Sequence, residues 1–184
     1  MRYHGQIFKD GSNCRKVTSG FTVVEVIITV IIFVLIITIS SMLLSTGSDS
    51  WDTNSIQTEI QQELRKAMDW MKNDLIQSGS STITNVPADG TPYNTITFQV
   101  ATGVTNGNIV WSSSTIQFLR SGNDLQKISG TETKTLARDI SSLTFRRQAS
   151  SPNIVEVSLQ VQKTTSKNKI IANTLNFSVK LRNE

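Results

Sequence analysis

The sequence predicts an α+β protein in which one long N-terminal helix precedes an antiparallel, β-rich head. Three observations predict it. Residues 21–44 form an apolar run broken by a single charge, Glu25. Residues 56–75 repeat apolar side chains at helical spacing. From Pro87 onward Thr, Val, Ile and Phe alternate with polar residues, and turn residues recur at short intervals. A chain of 184 residues bounds the molecule to one globular domain with an appended segment.

The formal charge of +4 is unevenly spread. Residues 1–20 carry Arg2, Lys9, Arg15 and Lys16 against Asp10, so most of the excess sits in a short tail. Nucleic-acid binding calls for basic residues clustered on a folded face, whereas this tail fits the positive flank of a membrane segment. With Arg15 and Lys16 just before the apolar run, the N-terminus belongs on the cytoplasmic side and the head outside, in a single pass. Cys14 is the only cysteine, which excludes an intrachain disulfide and a cysteine-based zinc site. His4 is the only histidine, so the chain has neither His nor Cys from residue 21 onward.

A bilayer core of about 30 Å takes roughly 20 apolar residues as a helix, and residues 21–44 meet that length. The run is rich in Ile and Val, yet helix is the expected state because lipid offers the backbone no other hydrogen-bond partner. A secretory signal peptide has a shorter apolar region, about 7–15 residues, and a small-residue cleavage site; neither fits. A plain membrane anchor fits the length but gains nothing from Glu25. A carboxylate at the centre of a spanning helix costs about 2.5–3.5 kcal/mol, and less near the interface. Intramembrane charges usually have a partner. No basic residue within the run can serve, but a free amine at Phe21 can, provided the chain is cut before it.

The order Arg15-Lys16-Val17-Thr18-Ser19-Gly20, then Phe21-Thr22-Val23-Val24-Glu25-Val26, resembles the processing site of type IV pilins and type II secretion pseudopilins. The shared pattern is a basic leader, Gly before the cut, Phe as first mature residue, Glu as the fifth, and an apolar helix. The resemblance implies cleavage between Gly20 and Phe21 by a membrane prepilin peptidase, which also N-methylates Phe21. It implies that Glu25 pairs with the Phe21 amine of a neighbouring subunit during filament assembly. It further implies residence in the inner (cytoplasmic) membrane, then in the filament. The partners implied are other pilin or pseudopilin subunits, the peptidase, an inner-membrane assembly platform and membrane lipid. Residues 1–20 would be the leader, 21–44 the transmembrane half of the helix, 45–80 its amphipathic half, and 81–184 the extracytoplasmic head.

The helix is expected to continue beyond residue 44. Gly47 marks a weak point, since Gly costs about 1 kcal/mol relative to Ala in a helix. Ile56, Ile60, Leu64, Ala67/Met68, Met71 and Leu75 then form one apolar face. Glu63–Lys66, Arg65–Asp69 and Asp69–Lys72 stand at ion-pair spacing on the other side. Ser78-Gly79-Ser80 ends the helix. Strands are expected at 95–101, 108–111, 115–120, 124–128, 134–137, 143–147, 154–162 and 170–181. Turns are expected at Asp89-Gly90, Asn106-Gly107 and Ser121-Gly122-Asn123-Asp124. Val155, Val157, Leu159 and Val161 alternate with polar residues, as in an antiparallel strand with one wet face.

Residues 60–183 resemble the J-type minor pseudopilins and W-type minor pilins. The likeness is carried by Leu64, Met68, Met71, Asp74-Leu75 and Ser78-Gly79, by the rhythm of 116–125 and 136–145, and by 177–183. It implies a minor, tip-proximal subunit.

No P-loop, H-E-x-x-H, C-x-x-C or G-x-S-x-G pattern occurs. Without His or Cys beyond residue 20 the usual acid–base and thiol options vanish, so no catalytic residue, cofactor or metal is expected. Asp89 and Asp124 lie in turns, but one carboxylate per turn falls far short of the oxygens calcium takes. Arg146 and Arg147, with Arg138 and Lys134, read as a solvated strand face, or as a small basic patch that would admit DNA. Trp51 is expected near a membrane interface, Trp70 beside the apolar stripe and Trp111 in the sheet. The expected function is therefore that of a filament subunit. A membrane-anchored extracytoplasmic binding module or adhesin, monomeric and keeping residues 1–20, is the alternative.

Overall fold

The computed structural model describes residues 20–182, so the leader residues Arg15 and Lys16, with His4 and Cys14, lie outside the described part. Helix α1 spans Val23–Ile76. Nine strands follow: β1 Thr95–Phe98, β2 Ala101–Thr105, β3 Asn108–Trp111, β4 Ile116–Ser121, β5 Asp124–Ser129, β6 Glu132–Ala137, β7 Ile140–Gln148, β8 Ser151–Thr164 and β9 Ile170–Lys180. They form three antiparallel sheets, ordered β1-β4-β5-β6, β2-β3 and β7-β8-β9. The layout is thus α+β, as expected. The chain divides into two compact units, Met1–Thr46 and Gly47–Glu184.

In the first unit the apolar part of α1 is exposed among the described residues. Its large side chains from Val23 to Leu44 are about half or more exposed. The helix is long and apolar enough to cross a membrane. Thr29 and Thr38 turn their hydroxyls back onto the carbonyls of Glu25 and Val34, at 2.7 and 2.8 Å. These two hydroxyls are thereby satisfied without water.

In the second unit the stripe behaves as its spacing requires. Ile60, Leu64, Ala67, Met71 and Leu75 are buried and Ile56 is partly so. They share one core with Ile96, Phe98, Phe118 and Leu125 from one sheet and Phe145, Val157, Leu159 and Val161 from another. Burying each large apolar side chain contributes about 1.5–3 kcal/mol. Of the expected ion pairs along the helix, Glu63–Lys66 forms, at 3.9 Å and exposed; such a pair contributes little.

The carbonyls at the end of a helix have no partner inside it. Here Leu75 accepts from the Ser78 amide and hydroxyl, Ile76 from the Arg182 amide, and Gln77 from the Ala101 amide. The chain's last described residues and the start of β2 thus close the helix end.

The strand expectations hold in kind but not in every boundary. Residues 95–101 divide into β1 and the start of β2. Gln99 and Val100 leave the ladder with β4 and bond Thr82 and Ser112 instead. Strand β8 is longer than expected at both ends, and β7 begins at Ile140. Asn106-Gly107 closes β2–β3 with φ of 50° and 80°, the left-handed pair that a two-residue hairpin favours. Gly122, at φ 61°, opens the equally tight β4–β5 turn.

Arg147 corrects one expectation. It is no part of an exposed basic face but is 5% exposed. Its guanidinium donates from Nε to Pro152 O at 2.8 Å, from Nη1 to Val86 O at 3.0 Å and from Nη2 to Ser80 O at 3.2 Å. Burial pushes its pKa down. One side chain therefore ties the segment after α1 to the β7–β8 hairpin. Arg147→Ala leaves these carbonyls without that donor, and Val86 O, on the one fully buried residue among them, would cost about 1–3 kcal/mol if orphaned. A clearly lower thermal unfolding midpoint of the head is expected; an unchanged midpoint would count against this role.

Candidate functional site

The site with the most sequence-derived content is the start of α1. Gly20 and Phe21 precede the helix; Gly20 is exposed and Phe21 is 84% exposed. Among the described residues a Cβ at Gly20 would meet nothing within 4 Å, so packing there gives no reason for glycine. Thr22 and Glu25 form a reciprocal cap. The Thr22 amide donates to Glu25 Oε2 at 2.9 Å and the Thr22 hydroxyl donates to the same oxygen at 3.1 Å. In return the Glu25 amide donates to Thr22 Oγ1 at 3.3 Å. This is the capping-box arrangement, in which Thr and Glu three residues apart satisfy each other's backbone donors. A carboxylate in the first turn also faces the positive end of the helix dipole.

The cap corrects the expectation that a plain anchor gains nothing from Glu25. Thr22 was not singled out from the sequence, although Thr22-Val23-Val24-Glu25 ahead of an apolar run is itself the sequence signature of a capping box. Glu25 is exposed, so its carboxylate stays open to a further partner. No sequence-predicted residue other than Phe21 and Gly20 lies beside it on the chain, and Arg15 and Lys16 lie outside the described residues.

A second polar region joins α1 to the loops of the head within the second unit. Asp49 pairs with Lys167. Asp52 Oδ2 accepts from the Ser166 hydroxyl at 2.6 Å and the Ser166 amide at 3.0 Å. Lys163 pairs with Glu59 and, at 3.1 Å, with Asp139. Glu63 Oε2 accepts from the Arg138 amide at 3.1 Å. Burial works against the charge of Lys163, but its two carboxylates outweigh this and its pKa is raised. Asp139 itself sits at φ 59°, between β6 and β7. These contacts are structural attachments: Asp49 and Glu59 meet lysines, whereas Asp52 is held by neutral donors of Ser166.

The remaining expectations resolve individually. Arg146 pairs with Glu156, Nη2 to Oε2 at 2.6 Å. Lys134 lies over the Trp70 ring, 3.9 Å from its centroid, a favourable cation–π contact. With Arg147 buried and Arg146 paired to Glu156, the four basic residues do not make up one exposed basic face. Trp51 is 79% exposed and Trp111 is half-buried in β3. Asp89 spends both oxygens locally, accepting from the Thr91 amide at 2.8 Å and the Tyr93 hydroxyl at 2.9 Å. The Thr91 amide is the main reason its pKa falls, and the bond to Asp89 raises that of Tyr93. Among the described residues no group of three His, Cys, Asp or Glu stands together to hold a metal. An open groove of about 550 Å³ on the outer face of the β7-β8-β9 sheet is lined by Thr144, Arg146, Glu156, Ser158, Asn176 and Ser178 among others. Its one charged pair is mutually neutralised.

No protein-family model matches this chain, and no curated protein matches it significantly.

Asp52 supplies a pH prediction. The Ser166 hydroxyl, then the Ser166 amide, hold its carboxyl below the ordinary range. A carboxyl depressed in the folded state stabilises fully above its unfolded value, near 3.9. That contribution is lost as pH falls through the lower folded value. NMR titration is expected to show Asp52 ionising at lower pH than a free aspartate, and Ser166→Ala is expected to raise that value. A midpoint indifferent to the substitution would refute the assignment of cause.

Proposed function

We propose that this chain is a structural subunit of a type IV pilus-like or type II secretion pseudopilus filament, and within it a minor, tip-proximal one. Processing would remove residues 1–20 and methylate the Phe21 amine. The subunit would await assembly in the inner (cytoplasmic) membrane with its head on the extracytoplasmic side. The observation that carries this reading is the place of Glu25. It is the only charge in residues 21–44, sits in the first turn of α1, whose large apolar side chains as far as Leu44 are exposed, and is the fifth residue counted from Phe21.

The physical argument is one of paired costs. In lipid an isolated carboxylate is unfavourable, and so is an isolated amine. A new amine at Phe21 on one subunit meeting Glu25 on the next would offset both, while fixing the axial step between helices. The cap with Thr22 lowers the cost of Glu25 before assembly without neutralising its charge, so the carboxylate remains available to the amine.

One observation favours the other reading, a monomeric anchored binding module or adhesin. The cap alone gives Glu25 a use in an anchor that never assembles. Two variants separate them. Glu25→Gln keeps a residue able to complete the capping box but cannot pair with an amine. Glu25→Ala loses both. For a filament subunit, assembly or complex formation is expected to fail in both variants while the head still folds. If Glu25→Gln assembles like the native chain, the charge pairing is wrong.

The mass of the native protein and of its N-terminal peptide, taken from its own membrane, tests processing separately. The expected N-terminus is N-methylated Phe21. A chain still beginning at Met1, in cells whose prepilin peptidase is active, would leave the anchored module as the working reading.

A further inference from the structure

We propose that the turn joining β8 to β9 seats the head on a phospholipid surface, its lysines meeting headgroup phosphates while Ile170 and Trp51 enter the interfacial layer. This seat requires residues 21–44 to span a membrane, the reading proposed above, but neither processing nor filament assembly.

The turn is a closed unit. The Thr165 amide donates to Lys169 O at 2.8 Å, the Asn168 amide returns to Thr165 O at 3.0 Å, and the Lys169 amide donates to Thr165 Oγ1 at 3.0 Å. Thr165 is 7% exposed, and Asn168 takes a left-handed φ of 60°. Two side chains of the turn are fastened to α1, Ser166 to Asp52 and Lys167 to Asp49. The turn is thereby held against one place on the helix.

That place lies close to the end of the apolar run. Asp49 follows Leu44 by five residues. Five residues of helix rise about 7.5 Å, and no backbone of that length reaches further than about 18 Å. A bilayer core of about 30 Å lies within about 40–45 Å of total thickness, which leaves roughly 5–8 Å of headgroup layer on each side. A turn tied to Asp49 and Asp52 therefore starts at the level of the headgroups. The β2–β3 hairpin is tied elsewhere, since the Ala101 amide bonds Gln77 O, about 37 Å further along the helix than Asp52.

The chemistry of the turn fits such a surface. Beyond residue 44 the most exposed large apolar side chains among the described residues are Trp51 at 79%, Val104 at 69% and Ile170 at 61%. Val104 stands on the β2–β3 hairpin. The other two adjoin the attachments, Trp51 next to Asp52 and Ile170 directly after Lys169. Tryptophan favours the membrane interface because its ring is apolar and its N–H is not. Lysine holds its ammonium in the polar layer while its stem covers apolar surface. Lys167 keeps 61% of its side chain exposed despite Asp49. The Lys169 ammonium has no ion-pair partner among the described residues. The acidic groups here do not meet the phosphates bare, because Asp49 is paired with Lys167 and Asp52 accepts from Ser166.

The test places the full chain, in a Cys14→Ser background, in phosphatidylcholine nanodiscs with and without a headgroup-nitroxide lipid. A bimane fluorophore is attached at Thr164→Cys, beside the turn, or at Thr102→Cys on the β2–β3 hairpin; both residues are exposed. Nitroxide quenching is expected to be strong at residue 164 and near background at residue 102. Lys169→Glu combined with Ile170→Ser leaves the bonds to Asp49 and Asp52 in place. It is expected to cut the quenching at residue 164 by about half or more, with an unchanged circular dichroism spectrum. Equal quenching at the two positions overturns the proposal. So does quenching at residue 164 that ignores the double variant, because closeness would then come from the tether alone. Incorporation into the discs with no quenching at residue 164 overturns the seat and leaves the spanning helix intact. A chain that does not enter the discs overturns both.

Discussion

Five side chains on one face of α1 are the surface on which the head is organised. Ile60, Leu64, Ala67, Met71 and Leu75 recur at three- and four-residue spacing and are buried together with the inner rows of two sheets. The inner rows of both sheets meet this stripe in a single core. Most strands then pair with their sequence neighbours through short connections, at little entropic expense, while β1 pairs with β4 across the β2–β3 hairpin.

The same helix meets the opposite demand in its first half, where no face is buried among the described residues. An apolar surface of that extent calls for lipid or for other helices. The one carboxylate in it is therefore the point of greatest chemical tension. Thr22 relieves part of that tension locally, with two hydrogen bonds to one carboxylate oxygen. Capping satisfies donors but leaves the charge, and charge is what an amine on a neighbouring helix would answer. In the proposed filament, one side chain would thus serve a local helix start and then an intersubunit contact.

The polar attachments of the head divide by environment. Asp49, Asp52, Glu59 and Glu63 fasten loops to α1 through exposed or half-exposed contacts, and such contacts fix position more than they stabilise. Arg147 does the reverse. It is buried and meets three carbonyls with no carboxylate partner, so removing it strands the carbonyl of Val86, a fully buried residue. Lys127 and Asp74, 2.6 Å apart and largely shielded, form an intermediate case between β5 and the last turns of α1.

The sequence by itself determined the elements whose signal is local. The apolar run, the helical stripe and its end at Ser78-Gly79, the Asn106-Gly107 and Gly122 turns and the alternation in β8 all follow from periodicity or from a φ that few residues adopt. The Thr22–Glu25 cap was equally local, and its spacing was there to be read. Only the tertiary structure decided the rest, because it depends on which distant groups meet. It divided 95–101 between two sheets when Gln99 and Val100 found partners at 82 and 112. It took Arg147 out of a basic face and into the core, while Arg146 stayed at the surface with Glu156. Alternation along a strand had already placed these two neighbours on opposite faces, but which face would be covered depends on the packing of segments 61 and 67 residues away in sequence. That β9 ends the sheet uncovered is likewise a fact of strand order, which no pattern within residues 170–180 contains.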